Sequence, residues 1–141
     1  ESETGWTLDA ALESLFLRLK GFASKLFEAK EINYSIVIDE KIKHAQLQME
    51  CRQHIYLIMK EAINNLVKYS VCTEAKIIVD HSGSHLSIIV KDNGIGFDIQ
   101  KAKYGNGLNS MKQRALNMRG DLKITSHINE GTTIFLSVKI K

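Results

Sequence analysis

The chain has 141 residues, 44% of them apolar and 25% charged, which is long and greasy enough for one globular domain and excludes disordered or collagen-like classes. Its formal net charge is only +3, and the Lys and Arg are scattered, which excludes a nucleic-acid footprint but suits an anionic small ligand. Apolar runs such as Ile77–Val79 fall far short of the roughly 18 residues that cross a bilayer, no secretory leader is evident, and Cys51 and Cys72 lack metal or disulfide spacing, so a cytosolic chain with free thiols is expected.

Leu8, Leu12, Leu15, Phe16, Leu19, Phe22, Ala23, Leu26 and Phe27 recur at helical spacing, predicting an amphipathic helix over residues 7–29 with Thr7 as its cap. Ile32 to Ile38 reads as a strand closed by a charged turn at Asp39-Glu40-Lys41. From Glu50 to Ser70, Ile55, Met59, Ala62, Ile63 and Leu66 share one face, predicting a second helix. Ala75 to Asp80 and His85 to Lys91 are β-branched runs joined by Ser82-Gly83-Ser84, the composition of a hairpin. Asp92 to Gly107 is glycine-rich and without periodicity. Leu108 to Arg119 is a third helix stopped by Gly120, and Asp121 to His127 and Thr132 to Ile140 are two final strands. Three one-faced helices and five half-apolar strands bury their apolar faces as a two-layer α/β sandwich, with the helices on one side of a mixed, mainly antiparallel sheet. No repeat, linker or proline marks a boundary, so residues 1–141 are expected to form a single domain.

Three features carry chemistry. Glu61, Asn65 and Lys68 lie at i, i+4 and i+7 on one helix face with Asn64 beside them; taken alone, this is an ordinary solvated face. Two adjacent asparagines in mid-helix are less ordinary, because Asn is a poor helix former. A carboxylate and an amide oxygen one turn apart also provide the hard oxygen ligands magnesium accepts. Next, Val90-Lys91-Asp92-Asn93-Gly94-Ile95-Gly96-Phe97 is a strand ending in an acid and then losing side chains at alternate positions. A simple hairpin would need a β-run afterwards, and Asp98 to Lys103 is not one. Gly94 and Gly96 are therefore expected to let backbone approach a ligand, with Asp92 accepting a hydrogen bond from a base. Last, Gly105-Asn106-Gly107-Leu108 leads straight into a helix, whose free N–H groups and dipole form a phosphate-binding geometry. Neither a Rossmann fingerprint nor a P-loop is present.

Taken in order, Glu61-Ala62-Ile63-Asn64-Asn65-Leu66-Val67-Lys68-Tyr69-Ser70, Asp92-Asn93-Gly94-Ile95-Gly96-Phe97, and Gly105-Asn106-Gly107-Leu108 with Met111 and Arg114 resemble the N box and two glycine boxes of the gyrase, chaperone, histidine kinase and mismatch-repair ATPase superfamily. Gly131-Thr132-Thr133 also fits. The resemblance is nearest to sensor histidine kinases of the nitrate-sensing and lipid-desaturation-sensing type, and it implies a Bergerat-type ATP-binding fold. It implies Glu61 as the catalytic N-box glutamate, Asn65 as the magnesium ligand, Asp92 as the acid on adenine's amine and Thr132 beside that acid. It further implies that Gly94 and Gly96 border the base and ribose, that Gly105, Asn106, Gly107 and Leu108 form the lid over the phosphates, and that Asn64 and Lys68 belong to the ATP site.

Such a protein transfers the γ-phosphoryl group of Mg-ATP to a histidine and passes it to the aspartate of a response regulator. The family's acceptor histidine is followed by an acid, whereas His44, His54, His81, His85 and His127 are followed by Ala, Ile, Ser, Leu and Ile. His54, near Glu61 on the polar face, is expected to have a capping or surface role. The acceptor is thus expected on a separate dimerisation segment of a homodimeric parent, whose anchoring in the bacterial inner membrane stays open. The rival readings are a serine-phosphorylating anti-sigma-type relative or ATPase of the same fold, and a nucleotide-sensing module without turnover.

Overall fold

The computed structural model describes residues 8–99 and 107–140, and for residues 8–10 the backbone alone. Helix α1 spans Leu8–Ala29, strand β1 Asn33–Ile38, helix α2 Met49–Tyr69, strand β2 Glu74–Ser82, strand β3 His85–Asp92, helix α3 Gly107–Asn117, strand β4 Asp121–Ser126 and strand β5 Thr132–Lys139. The strands form one sheet in the order β1-β2-β3-β5-β4. β1 runs parallel to β2, with α2 on the connection between them, and every other pairing is antiparallel.

The alternation in the strands decides which side the helices cover. Ala75, Ile77 and Val79 on β2, Leu86, Ile88 and Val90 on β3, and Ile134, Leu136 and Val138 on β5 are all buried. Cross-strand register stacks Val79, Ile88 and Leu136 in one row and Ile77, Val90 and Ile134 in the next. Against these rows sit Leu12, Phe16, Leu19, Ala23 and Phe27 of α1, Ile55, Met59, Ala62, Ile63 and Leu66 of α2, and Met111 and Ala115 of α3, all in one core. Truncating a fully buried member such as Leu136 to Ala would cost about 2–5 kcal/mol through lost burial and a residual cavity. The expected two-layer sandwich is the observed one.

Differences are confined to ends. Asp39-Glu40-Lys41 is not a bare turn: Asp39 caps a 3-10 helix at Glu40–His44, its carboxylate accepting from the Lys41 N–H at 2.9 Å and the His81 N–H at 3.2 Å. β2 continues to Ser82, and α3 begins at Gly107 and ends at Asn117, after which Arg119 takes a positive φ of 57°. The Thr7 cap lies outside the described residues. The C-terminal end of β3, the last turns of α2 and the first turn of α3 meet at one end of the sheet, and that convergence makes the cleft described next.

Candidate functional site

The cleft is lined by Asn65, Tyr69, Asp92, Gly96, Phe97, Leu108 and Thr132 over a floor of core residues. Asp92 is the last residue of β3 and is 7% exposed. Its Oδ1 accepts from the Gly94 N–H at 2.8 Å. Burial pushes the Asp92 carboxyl above the ordinary carboxylate pKa, and the backbone N–H groups of Gly94 and Thr132 hold it back down in part. An acid kept in such a place, with few partners of its own, is suited to accept a hydrogen bond from an amino group in the cleft.

The loop after Asp92 is held by bonds that leave it little freedom. Asn93 Oδ1 accepts from the Thr73 and Glu74 N–H groups at 3.0 and 2.9 Å, and its Nδ2 donates to Thr73 Oγ1. The Ile95 N–H donates to the Ser70 carbonyl at 2.8 Å, clamping the loop to the end of α2. A Cβ on Gly94 would run into that Ser70 carbonyl, and one on Gly96, whose φ is +62°, into the carbonyl of His127. The reason for both glycines is therefore corrected: they admit the chain's own backbone, although Gly96 also lines the cleft.

Across the cleft, Asn65 presents an amide whose Nδ2 is enclosed without a hydrogen-bond partner. A buried amide with an open valence is costly unless something else fills it. One turn earlier, Glu61 is half-buried, and the two side chains flank a single point: an ideal Cβ on Gly107 would lie 2.5 Å from Glu61 Oε2 and 3.3 Å from Asn65 Nδ2. Packing of α3 against α2 turns this polar line toward a cleft instead of bulk water. The Glu61 carboxylate and the Asn65 amide at the mouth of an anion-binding helix start are residue types that fit phosphates and the magnesium that accompanies them, the amide N–H donating to a phosphate and its oxygen being the atom that would meet a cation.

Asn65, Asp92, Gly96, Leu108 and Thr132 thus come together on one lining, with Glu61 and Gly107 beside it and Gly94 packed behind it. Asn64, half-buried, and Lys68, exposed, are not on that lining. Gly105 and Asn106 lie outside the described residues. His54 is half-buried, with Nδ1 enclosed and unpartnered. Sequence reasoning missed Ser126, 5% exposed, whose Oγ accepts from the Phe97 N–H at 2.8 Å, donates to the Gly131 carbonyl at 3.2 Å and lies 2.7 Å from Thr132 Oγ1. The available signal was a serine where the alternation Leu122, Ile124 called for a third apolar residue. Among the described residues, no helix is long and apolar enough to cross a membrane.

Known proteins resemble this chain in sequence and in fold. The chain is 32% identical over 87 residues to the signal transduction histidine-protein kinase/phosphatase DegS of Brevibacillus brevis, a match covering 61% of this chain and 22% of that protein. The chain thus spans well under half the length of that relative. The histidine kinase domain of the Erythrobacter litoralis EL346 blue-light activated histidine kinase superposes with a TM-score of 0.73 at 19% identity, over 89% of this chain and 61% of that one. Acinetobacter baumannii histidine kinase AdeS does so at 0.74 and 11% identity, over 92% and 64%; at those identities the likeness speaks for the fold. The family of histidine kinase-, DNA gyrase B-, and HSP90-like ATPases matches residues 50–141, the span from α2 to the last strand that builds the cleft, and the chain belongs to that family.

Proposed function

We infer that the chain is the ATP-binding catalytic domain of a two-component sensor histidine kinase, donating the γ-phosphoryl group of Mg-ATP to a histidine on a separate dimerisation segment. The observation that carries this reading is the pairing across one cleft of a buried acid, Asp92, with an unpartnered amide, Asn65, beside Glu61. Asp92 accepts the exocyclic amine of adenine, Gly96 and Phe97 border the base, and the α3 N-terminus at Gly107 and Leu108 faces the phosphates. Asn65 would supply an amide oxygen for magnesium, which would neutralise phosphate charge. Glu61, at the phosphate end, is placed to hold the proton of an incoming imidazole. Catalysis of this kind is mainly positioning and charge neutralisation. The phosphate then passes to a response regulator, and since ATP and such regulators are cytoplasmic, so is this domain. DegS, a relative named as a signal transduction histidine-protein kinase/phosphatase, favours this over a serine kinase; intact Glu61, Asn65 and Asp92 favour it over a silent sensor.

The test mixes the chain with radiolabelled ATP, magnesium and a separately made dimerisation segment. Acid-labile label on that segment is the expected result, and a segment that stays unlabelled while the chain binds ATP would overturn the kinase reading. Titrating ATP with and without magnesium into Asn65→Ala checks the metal. The unmutated chain should bind more tightly with magnesium and the variant should not; an unchanged magnesium dependence would remove Asn65 from the metal site.

A further inference from the structure

Behind the cleft, at the junction of β4 and β5, a chain of hydroxyl groups decides which way a cleft-lining side chain points its proton. Ser126 Oγ, itself off the lining, touches three groups: the Phe97 N–H at 2.8 Å, the Gly131 carbonyl at 3.2 Å and Thr132 Oγ1 at 2.7 Å. A hydroxyl has one proton to give and two lone pairs to offer. The Phe97 amide can only donate, so it occupies one lone pair. The Gly131 carbonyl can only accept, so it takes the Ser126 proton. The contact with Thr132 is then satisfied in one way, with the Thr132 hydroxyl donating to the second lone pair of Ser126. The opposite polarity, with Ser126 donating to Thr132, leaves the Gly131 contact unmade around an oxygen on a residue 5% exposed, which costs a buried hydrogen bond.

Once its proton is turned back toward Ser126, the Thr132 hydroxyl has only lone pairs left for a ligand of the cleft that Thr132 lines. Asp92, its partner in the β3–β5 register, also offers acceptors alone when ionised. Two acceptors side by side on the lining call for a ligand edge that donates, and they repel one that carries a carbonyl oxygen there. We propose that Ser126 is a positioning residue that fixes Thr132 as an acceptor toward the cleft, so that the site selects a purine with an amino group over one with a carbonyl oxygen at the same position. This rests on the nucleotide-binding reading above and deepens it: base selectivity is set partly from a residue that never touches the base. Phe97 is tied into the same device, because its backbone N–H consumes the lone pair that would otherwise leave Ser126 free to turn.

Calorimetric titration with ATP and with inosine triphosphate, which carries a carbonyl oxygen in place of the amine, tests the proposal. In Ser126→Ala the Thr132 hydroxyl is free to rotate and donate, so ATP binding should weaken while inosine triphosphate binding holds or rises. The ratio of the two affinities should fall by about tenfold, the value of roughly one net hydrogen bond. In Thr132→Val the group on which Ser126 acts is gone, so adding Ser126→Ala to it should leave the ratio where Thr132→Val alone puts it. If Ser126→Ala fails to fold, Ser126→Cys, of similar size and a poor hydrogen-bonding partner, carries the same comparison. Equal weakening of both nucleotides, with the ratio unchanged, would overturn the proposal and leave Ser126 a loop anchor. An unmutated chain that binds neither nucleotide would instead overturn the nucleotide reading itself.

Discussion

Replacing Asp92 by Asn exchanges a carboxylate for an amide of the same shape, so it separates charge from packing at the floor of the cleft. The Asp92 side chain is enclosed, with Gly94 N–H 2.8 Å from Oδ1 and the Thr132 backbone N–H also directed at the carboxylate. In the variant the amide oxygen can serve one of these donors, and the NH2 then faces either the other donor or the adenine amine; both are donor-to-donor clashes. The loss is that of a charge-assisted hydrogen bond, about 1.5–3 kcal/mol, or roughly 10- to 150-fold in dissociation constant. Isothermal titration with Mg-ATP measures it, with circular dichroism to show that the variant is folded. A folded variant with an unchanged dissociation constant would refute the assignment of Asp92 to the base. Stability should move the other way. Because burial raises the Asp92 pKa in the folded chain, the ionised form costs folding energy: the carboxyl's contribution is fully present below its ordinary value and is lost as pH rises through the raised one. Without nucleotide, Asp92→Asn should therefore melt at or above the unmutated chain at neutral pH, with the difference closing in acid.

ATP affinity in the unmutated chain should weaken as pH falls through the raised Asp92 pKa, at a higher pH than an exposed carboxylate would give, and the variant should lack that transition; titrations across the acid range decide this. Gly94→Ala forces a Cβ into the Ser70 carbonyl, where backbone faces backbone and neither end can swing aside. It should destabilise the chain by about 1–3 kcal/mol in chemical denaturation, and a neutral result would mean that the loop and α2 part easily. Gly107→Ala meets the end of the Glu61 side chain, which can move, and Ala suits a helix better than Gly. Its stability should hold while Mg-ATP binding weakens by a few-fold, and unaltered binding would take the α3 start away from the phosphates.

The element order was legible because each helix and strand must show an apolar face to a common core, and the spacing of Leu12, Phe16, Leu19 and Ala23, or of Ile134, Leu136 and Val138, records that demand residue by residue. The site was legible to the extent that its residues are clustered along the chain: Glu61 and Asn65 on one helix, Asp92 to Phe97 in one loop. The reason for Gly94 was misjudged because the group it accommodates, the Ser70 carbonyl, is 24 positions away in sequence and beside it only in the fold. Ser126 escaped notice because a lone serine at a strand end has no periodicity, and its meaning comes from Phe97 and Thr132, brought to it by the β4–β5 pairing and the return of the glycine loop. The sequence by itself determined which faces are buried and which short segments carry acids, amides and glycines, since those depend on local spacing. Only the tertiary structure decided which of these groups confront one another, and which way their protons turn, because hydrogen-bond direction is settled by distances between atoms that the chain's order does not contain.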